Sequence, residues 1–151
     1  MNDQNTTPAV VDFKLWNPNA AANWSLVFTP VFGAYLHARN WRAMGQNERA
    51  AGSMKWFYGG LVLYVLFLLI FLLVNDDKIM DGVGRLLGFT YLLVWYFASA
   101  RAQAKFVKEK YGATYPRKTW GKPLLIGFGC RIAYLLLAVV VGLILGTFRG
   151  T

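Results

Sequence analysis

The chain has 151 residues, of which 56% are hydrophobic and 15% are charged, and its formal net charge is +9. A soluble domain usually carries about 25% charged residues, so this composition excludes an ordinary soluble protein and predicts contact with lipid. Because the positive charges flank long apolar segments, we assign them to anionic headgroups and expect no nucleic-acid partner.

Residues 1–22 form a polar lead that lacks the basic and apolar regions of a signal peptide, so we expect no cleavage there. Residues 23–151 are predicted to form one membrane domain. Its first element, residues 24–44, contains Thr29 as a helix cap, Pro30 at a first helical position and Gly45 as a stop, which predicts a helix from about Pro30 to Ala43. We expect this element to be interfacial or re-entrant, and the alternative is a fourth full span over residues 21–38.

Three charge-poor segments follow, at residues 57–74, 83–100 and 124–146. Each reaches the roughly 17 to 25 residues that a helix needs to cross the hydrocarbon. The second segment is expected to continue as a helix to residue 111, because no helix breaker occurs before Gly112. The predicted fold class is therefore an all-α integral membrane helical bundle of three transmembrane helices plus the N-terminal element, or four transmembrane helices in the alternative.

Charge predicts the orientation. The loops before the first span and before the third are basic, whereas residues 75–82 are acidic, so the basic loops should be cytoplasmic and the C-terminus periplasmic. His37 is expected to form a hydrogen bond at the interface, since no second His and no nearby Cys or acid offers a shared metal site. The full set of residues predicted at the membrane interface is Trp24, His37, Arg39, Trp41, Arg42, Trp56 and Trp120.

Small residues predict where helices pack. Gly84 and Gly88 lie four residues apart in the second span, as do Gly142 and Gly146 in the third. Such spacing lets helix backbones approach closely in lipid. Packing within one chain is the favoured interpretation, and a homo-oligomer is the alternative.

Charged residues near the spans are the candidates for partner binding, because ionisable groups in membranes are often functional. The candidates are Asp76, Asp77, Asp81, Arg85 and Arg131. Arg131 is either an anchor or part of a binding or conduction path, and the three acids either shape a turn or bind a partner. No catalytic set, metal site or cofactor motif is recognised, so the sequence predicts a protein that is not an enzyme.

The stretch NWSLVFTPVFGAYLHARNWRAMGQNERA, followed by the WFYGG that opens the first span, resembles a family of small, uncharacterised inner-membrane proteins of Gram-negative bacteria. The resemblance covers about the first 60 residues. Because such proteins often accompany antibacterial toxins, including type VI secretion effectors, the resemblance implies a toxin–immunity role. It implies no catalytic residue.

Two functions are weighed. The first is a non-enzymatic inner-membrane protein that binds a partner in or at the membrane, most concretely an immunity protein that neutralises a membrane-acting bacterial toxin. The second is a subunit of a small membrane channel or transporter, in which Arg131 and the broken N-terminal element would favour anions. The bilayer is the partner common to both.

Overall fold

The computed structural model of the protein describes residues 12–74 and 77–149, and its architecture is all-α, which confirms the predicted class. The helices are α1 (Pro18–Phe28), α2 (Pro30–Ala43), α3 (Asn47–Leu73), α4 (Asp77–Trp95), α5 (Arg101–Tyr111) and α6 (Gly121–Arg149). A π-helical turn, Tyr96–Ala100, joins α4 to α5. The described ranges contain no β-strand, and a backbone bridge links Leu15 to Arg117.

Helices α1 and α2 form an antiparallel hairpin. At its open end, the His37 side chain on α2 bonds to the carbonyl of Pro18 at the start of α1. Nearer the tip, a Cβ atom added to Gly33 would overlap Oγ of Ser25. The absence of a side chain at Gly33 therefore allows the two arms to approach closely.

The first arm begins at Pro18, earlier than the predicted start near Trp24. Asn17 caps this helix, because its Oδ1 accepts hydrogen bonds from the backbone N–H groups of Asn19 at 3.0 Å and Ala20 at 3.3 Å. Pro18 occupies a first helical position, where its missing N–H removes no helical bond. Residues 18–22, the last part of the predicted polar lead, are thus helical.

The two arms are separated at Thr29, whose φ of 98° and ψ of 156° lie outside helical geometry. Pro30 then begins α2, which ends at Ala43, as predicted. Thr29 occupies the cap position, but its side chain makes no capping hydrogen bond, which differs from the expectation. Arms of 11 and 14 residues are about 16 and 21 Å long, shorter than the roughly 30 Å hydrocarbon, so no continuous fourth span forms over residues 21–38.

Three stretches of the described chain are long and apolar enough to cross a membrane: Asn47–Phe71, Lys78–Tyr111 and Gly121–Ile144. They coincide with the three predicted spans. The second runs through the π-turn into α5, which ends at Tyr111. These helices have the length and composition of an integral membrane protein.

Contacts divide the chain into two compact units, one ending at Lys118 and one beginning at Thr119. In the first unit, the buried side chains gather around the hairpin, α5 and the start of α3, and include Leu15, Trp41 and Trp95. The apolar side chains farther along the spans are exposed, as a lipid-facing surface requires. The second unit consists of α6 and the residues that flank it.

Candidate functional site

A buried amide network holds the open end of the hairpin. Oδ1 of Asn40 accepts a hydrogen bond from the Trp16 backbone N–H at 3.0 Å, and Nδ2 of Asn40 donates to the Trp16 carbonyl at 2.8 Å. The same Nδ2 group donates to Oε1 of Gln103 at 3.3 Å. Asn40 and Gln103 are both fully buried, so each lost bond would leave a polar group without water. The network therefore joins the N-terminal segment, α2 and α5.

His37 is also fully buried, and its Nε2–H donates to the Pro18 carbonyl at 3.2 Å. Its ring lies edge-on to Trp95, with the ring centroids 5.5 Å apart. Burial lowers the pKa of His37 to about 4, and the hydrogen bond to Pro18 opposes only part of that shift. The imidazole is thus neutral at pH 7, and its Nδ1 atom has no hydrogen-bond partner among the described residues.

A groove of about 470 Å³ lies between the start of α3 and the opposite helix, which comprises the π-turn and α5. We call it the α3–α5 groove. Its walls include Arg49, Gly52 and Ser53 on α3, and Ser99, Lys105 and Glu109 on the opposite side. The π-turn contributes to the wall, and such turns are frequent at functional sites in helices.

Arg49 carries the principal positive charge of the groove. Its guanidinium carbon lies 5.0 Å from the ring centroid of Trp41 and 4.8 Å from that of Phe106, so it contacts two aromatic rings. Such cation–π contacts fix the position of a guanidinium without neutralising it. Across the groove, Lys105 lies 3.8 Å from Glu109 in an exposed ion pair, which contributes little to stability.

Ser53 is almost fully buried, and its Oγ atom has no hydrogen-bond partner among the described residues. Buried hydroxyl groups are usually satisfied, so this atom is an exception that calls for a physical reason. Ser53 also lines the groove, so a rotation of its side chain would bring the hydroxyl to an occupant. Gly52 widens the groove beside Ser53, since a Cβ atom there would meet nothing within 4 Å.

The groove lies near the level expected for lipid headgroups. Helix α3 has 27 residues, about 40 Å, whereas the hydrocarbon is about 30 Å thick. Its charge-free part begins at Phe57, after Lys55 and Trp56. The preceding turns, which carry Arg49 and Ser53, are therefore expected at the polar boundary.

The acidic candidates differ in what can be described. Asp76 lies outside the described residues, and Asp77 is described only as the first residue of α4. Asp81 and Arg85 form an ion pair at 2.7 Å, one helical turn apart, with side chains that are 61% and 80% exposed. Arg85 therefore has a partner on its own helix.

Arg131 is exposed on α6, and its role stays a prediction. Of the four candidate packing glycines, Gly84 lies against another helix, because a Cβ atom there would be 2.6 Å from Cζ of Phe67 on α3. A Cβ atom at Gly88, Gly142 or Gly146 would meet nothing within 4 Å. Packing at those three positions likewise stays a prediction.

The expected interfacial residues fall into two groups. Arg39 and Arg42 are exposed, and Trp24, Trp56 and Trp120 are partly exposed, so these side chains can reach headgroups. His37 and Trp41 are buried beneath other parts of the chain, and the hydrogen bond that His37 makes goes to the Pro18 carbonyl. The membrane depth of all seven residues stays a prediction.

Asn40, Gln103 and Ser53 are among the residues of these sites that are absent from the sequence-based candidates. Asn40 shares a helical arc with Gly33 and His37, which was a usable signal. Gln103 is an uncharged amide in a charged extension, and that contrast was a weaker signal. Ser53 carried no signal, because its burial depends on a distant helix.

Comparison of the chain with known protein families, with curated proteins and with solved structures finds no match. Among the described residues, no group of three or more His, Cys, Asp or Glu side chains is placed to hold a metal ion. The geometry of this chain is therefore the basis for the functional proposals that follow.

Proposed function

We propose that this chain is a non-enzymatic integral protein of a bacterial inner membrane that binds a partner in or at the bilayer. The three long apolar helices support the membrane location. The N-terminal resemblance supports the more specific role of an immunity protein that neutralises a membrane-acting toxin. The basic loops would then lie in the cytoplasm, and the connection at residues 75–82 would lie in the periplasm.

The observation that carries the proposed contact is the Asp81–Arg85 ion pair. It lies near the start of α4, beside the acidic connection, and both side chains are well exposed. Exposed charges of both signs at one place favour a partner with complementary charges and exclude partners with the wrong pattern. A toxin that approaches from the periplasm would reach this end of α4 first.

Growth under toxin attack tests the proposal. Cells that lack the gene should be killed by the toxin encoded beside it, and the wild-type gene should restore growth. A variant with Asp76, Asp77 and Asp81 all changed to Asn should restore growth less well, at equal abundance in the membrane fraction. A matched control changes Asp3, Asp12 and Glu48, which lie outside both proposed sites, to the corresponding amides.

Normal survival of cells without the gene would contradict the immunity role. Full protection by the triple Asn variant would contradict the proposed contact while leaving the immunity role intact. Orientation is tested separately with cysteines placed at Lys78 and Lys108 in a Cys130→Ser background. A membrane-impermeant reagent applied to intact spheroplasts should label position 78 and not position 108, and the reverse pattern would contradict the orientation.

A further inference from the structure

We propose that the α3–α5 groove binds the phosphodiester headgroup of an anionic phospholipid, with its phosphate between Arg49 and Lys105. The groove adjoins the π-turn at the end of α4, whereas the proposed toxin contact lies near the start of that helix. The two sites are thus separate, and lipid binding does not depend on the proposed immunity role.

The net charge of the groove wall favours an anionic ligand. The groove wall carries Arg49 and Lys105 against Glu109, an excess of one positive charge. That excess complements a phosphodiester, which carries a single negative charge. Arg49 makes no ion pair among the described residues, so its N–H groups are not committed to an acid of this chain. A guanidinium can donate two parallel hydrogen bonds to one phosphate.

Ser53 supplies a second contact. Its hydroxyl is buried, lacks a partner among the described residues and forms part of the groove wall one turn after Arg49. Residues four apart on a helix lie on the same face, so the Arg49 and Ser53 side chains are neighbours. On this proposal the Ser53 side chain rotates toward the groove, and its hydroxyl donates to a phosphate or glycerol oxygen near the Arg49 guanidinium.

The position of the groove along α3 favours a lipid over a soluble anion. The groove lies at the polar end of α3, and the half-buried Leu63 and Phe67 and the exposed Ile70 continue the helix face of Arg49 and Ser53 toward the apolar end of the helix. A headgroup in the groove would therefore leave its acyl chains beside an apolar surface. The volume of about 470 Å³ is within the range of small-molecule sites, about 300 to 1,000 Å³.

Native mass spectrometry of the full chain in detergent tests this inference, with phosphatidylglycerol and phosphatidylcholine offered in equal amounts. The wild type should retain phosphatidylglycerol about fivefold more than phosphatidylcholine, the ratio that corresponds to about 1 kcal/mol from one basic residue. Equal retention of the two lipids would overturn the proposal. Displacement of phosphatidylglycerol by inorganic phosphate at equal concentration would also overturn it, since the site would then be one for a soluble anion.

A variant that fills the groove without changing its charge is the sharpest probe. Gly52→Leu directs a side chain into the open space beside Ser53 and should abolish the preference for phosphatidylglycerol. Gly129→Leu is the matched control, because a Cβ atom there also meets nothing within 4 Å but lies on α6. An unchanged preference in Gly52→Leu would contradict binding in the groove.

Charge variants provide an independent arm. Arg49→Gln should lose the preference, whereas Arg42→Gln, which removes an exposed positive charge outside the groove, should keep it. Glu109→Gln should strengthen it, because the amide no longer repels the phosphate. Equal losses in Arg49→Gln and Arg42→Gln would indicate general attraction to the basic surface and would overturn the assignment.

Discussion

Gln103 on α5 donates a hydrogen bond from Nε2 to the backbone carbonyl of His37 on α2 at 2.8 Å, across 66 positions of sequence. Both residues are fully buried. Because Oε1 of Gln103 also accepts from Asn40, one side-chain amide ties α5 to the hairpin by two bonds. The position of α5, and with it one wall of the α3–α5 groove, depends on this amide.

Removal of the Gln103 amide should destabilise the protein. Gln103→Leu keeps a similar volume but leaves the Asn40 Nδ2 group without one of its acceptors and the His37 carbonyl without its side-chain donor. We expect the free energy of unfolding to fall by about 1 to 3 kcal/mol, the usual consequence of burying unsatisfied polar groups. Thermal unfolding in detergent measures the change. Lys108→Leu, at an exposed position of α5, is the control and should remain close to wild type.

Gly33 should not accept a side chain. In Gly33→Ala the new methyl group would overlap Oγ of Ser25 and lie 2.5 Å from Cη2 of Trp95, so the hairpin must shift away from α4. Overpacking of this kind costs about 1 to 3 kcal/mol. The melting temperature should therefore fall. Gly129→Ala, where the added methyl group meets open space, should keep or raise it, and equal behaviour of the two variants would contradict the close approach.

Thr29→Gly should stabilise the protein. A φ of 98° with a ψ of 156° is a conformation that strains a residue with a Cβ atom by about 1 to 3 kcal/mol, and glycine adopts it readily. The greater freedom of glycine in the unfolded chain offsets about 0.4 to 1 kcal/mol of this gain. The net rise in the free energy of unfolding should be about 1 kcal/mol, measured by thermal unfolding. Thr29→Ala retains the Cβ atom and should give no such rise, and a similar rise would refute strain as the cause.

Acid should destabilise the fold through His37. Its pKa is about 4 in the folded protein and about 6.5 when unfolded, so between these values the unfolded chain binds more protons. This contribution to stability is complete above pH 6.5, falls as the pH decreases and is lost near pH 4, for a total of up to about 3 kcal/mol.

Unfolding measured from pH 7.5 to 4 tests this dependence. His37→Gln should flatten the part of the profile between pH 6.5 and 5, where carboxylates titrate little. His37 is the single histidine of the chain, so no other imidazole contributes to that range. An identical slope in the variant would show that the histidine does not sense acid.

The spans and the break at Thr29 were predictable because they depend on local chemistry. A long run of residues without charge is stable in lipid when it forms a helix, because the helix satisfies its own backbone hydrogen bonds. A proline lacks a backbone N–H, so Pro30 interrupts the helical hydrogen bonds whatever packs around it. Gly45, with φ of 70°, follows the end of α2 for the same local reason. These features require no knowledge of what packs against them.

The buried roles of His37 and Asn40 were not predictable in the same way. Whether a polar side chain on an amphipathic helix faces lipid headgroups or protein depends on which segment covers it. Here the distant helix α5 covers this part of α2, and its Gln103 bonds to the Asn40 side chain and to the His37 backbone carbonyl. Arg49 counts in the sequence only as one of several loop charges. Its contacts with Trp41 and Phe106 exist because α2, α3 and α5 meet, and periodicity within one helix does not encode that meeting.

The π-turn resets the rotational phase of the long second span. The Arg101 N–H donates to the Tyr96 carbonyl five residues back, so the turn holds about one residue more than regular helix, a lag of about 100°. In an uninterrupted α-helix, Gln103 and Val107 would point about 80° and 120° away from Trp95; with the lag they fall within about 20° of it. All three are buried. One surplus residue therefore aligns the buried side of α4 with that of α5. Deletion of one residue between 96 and 100 should convert the turn to regular helix and keep this alignment.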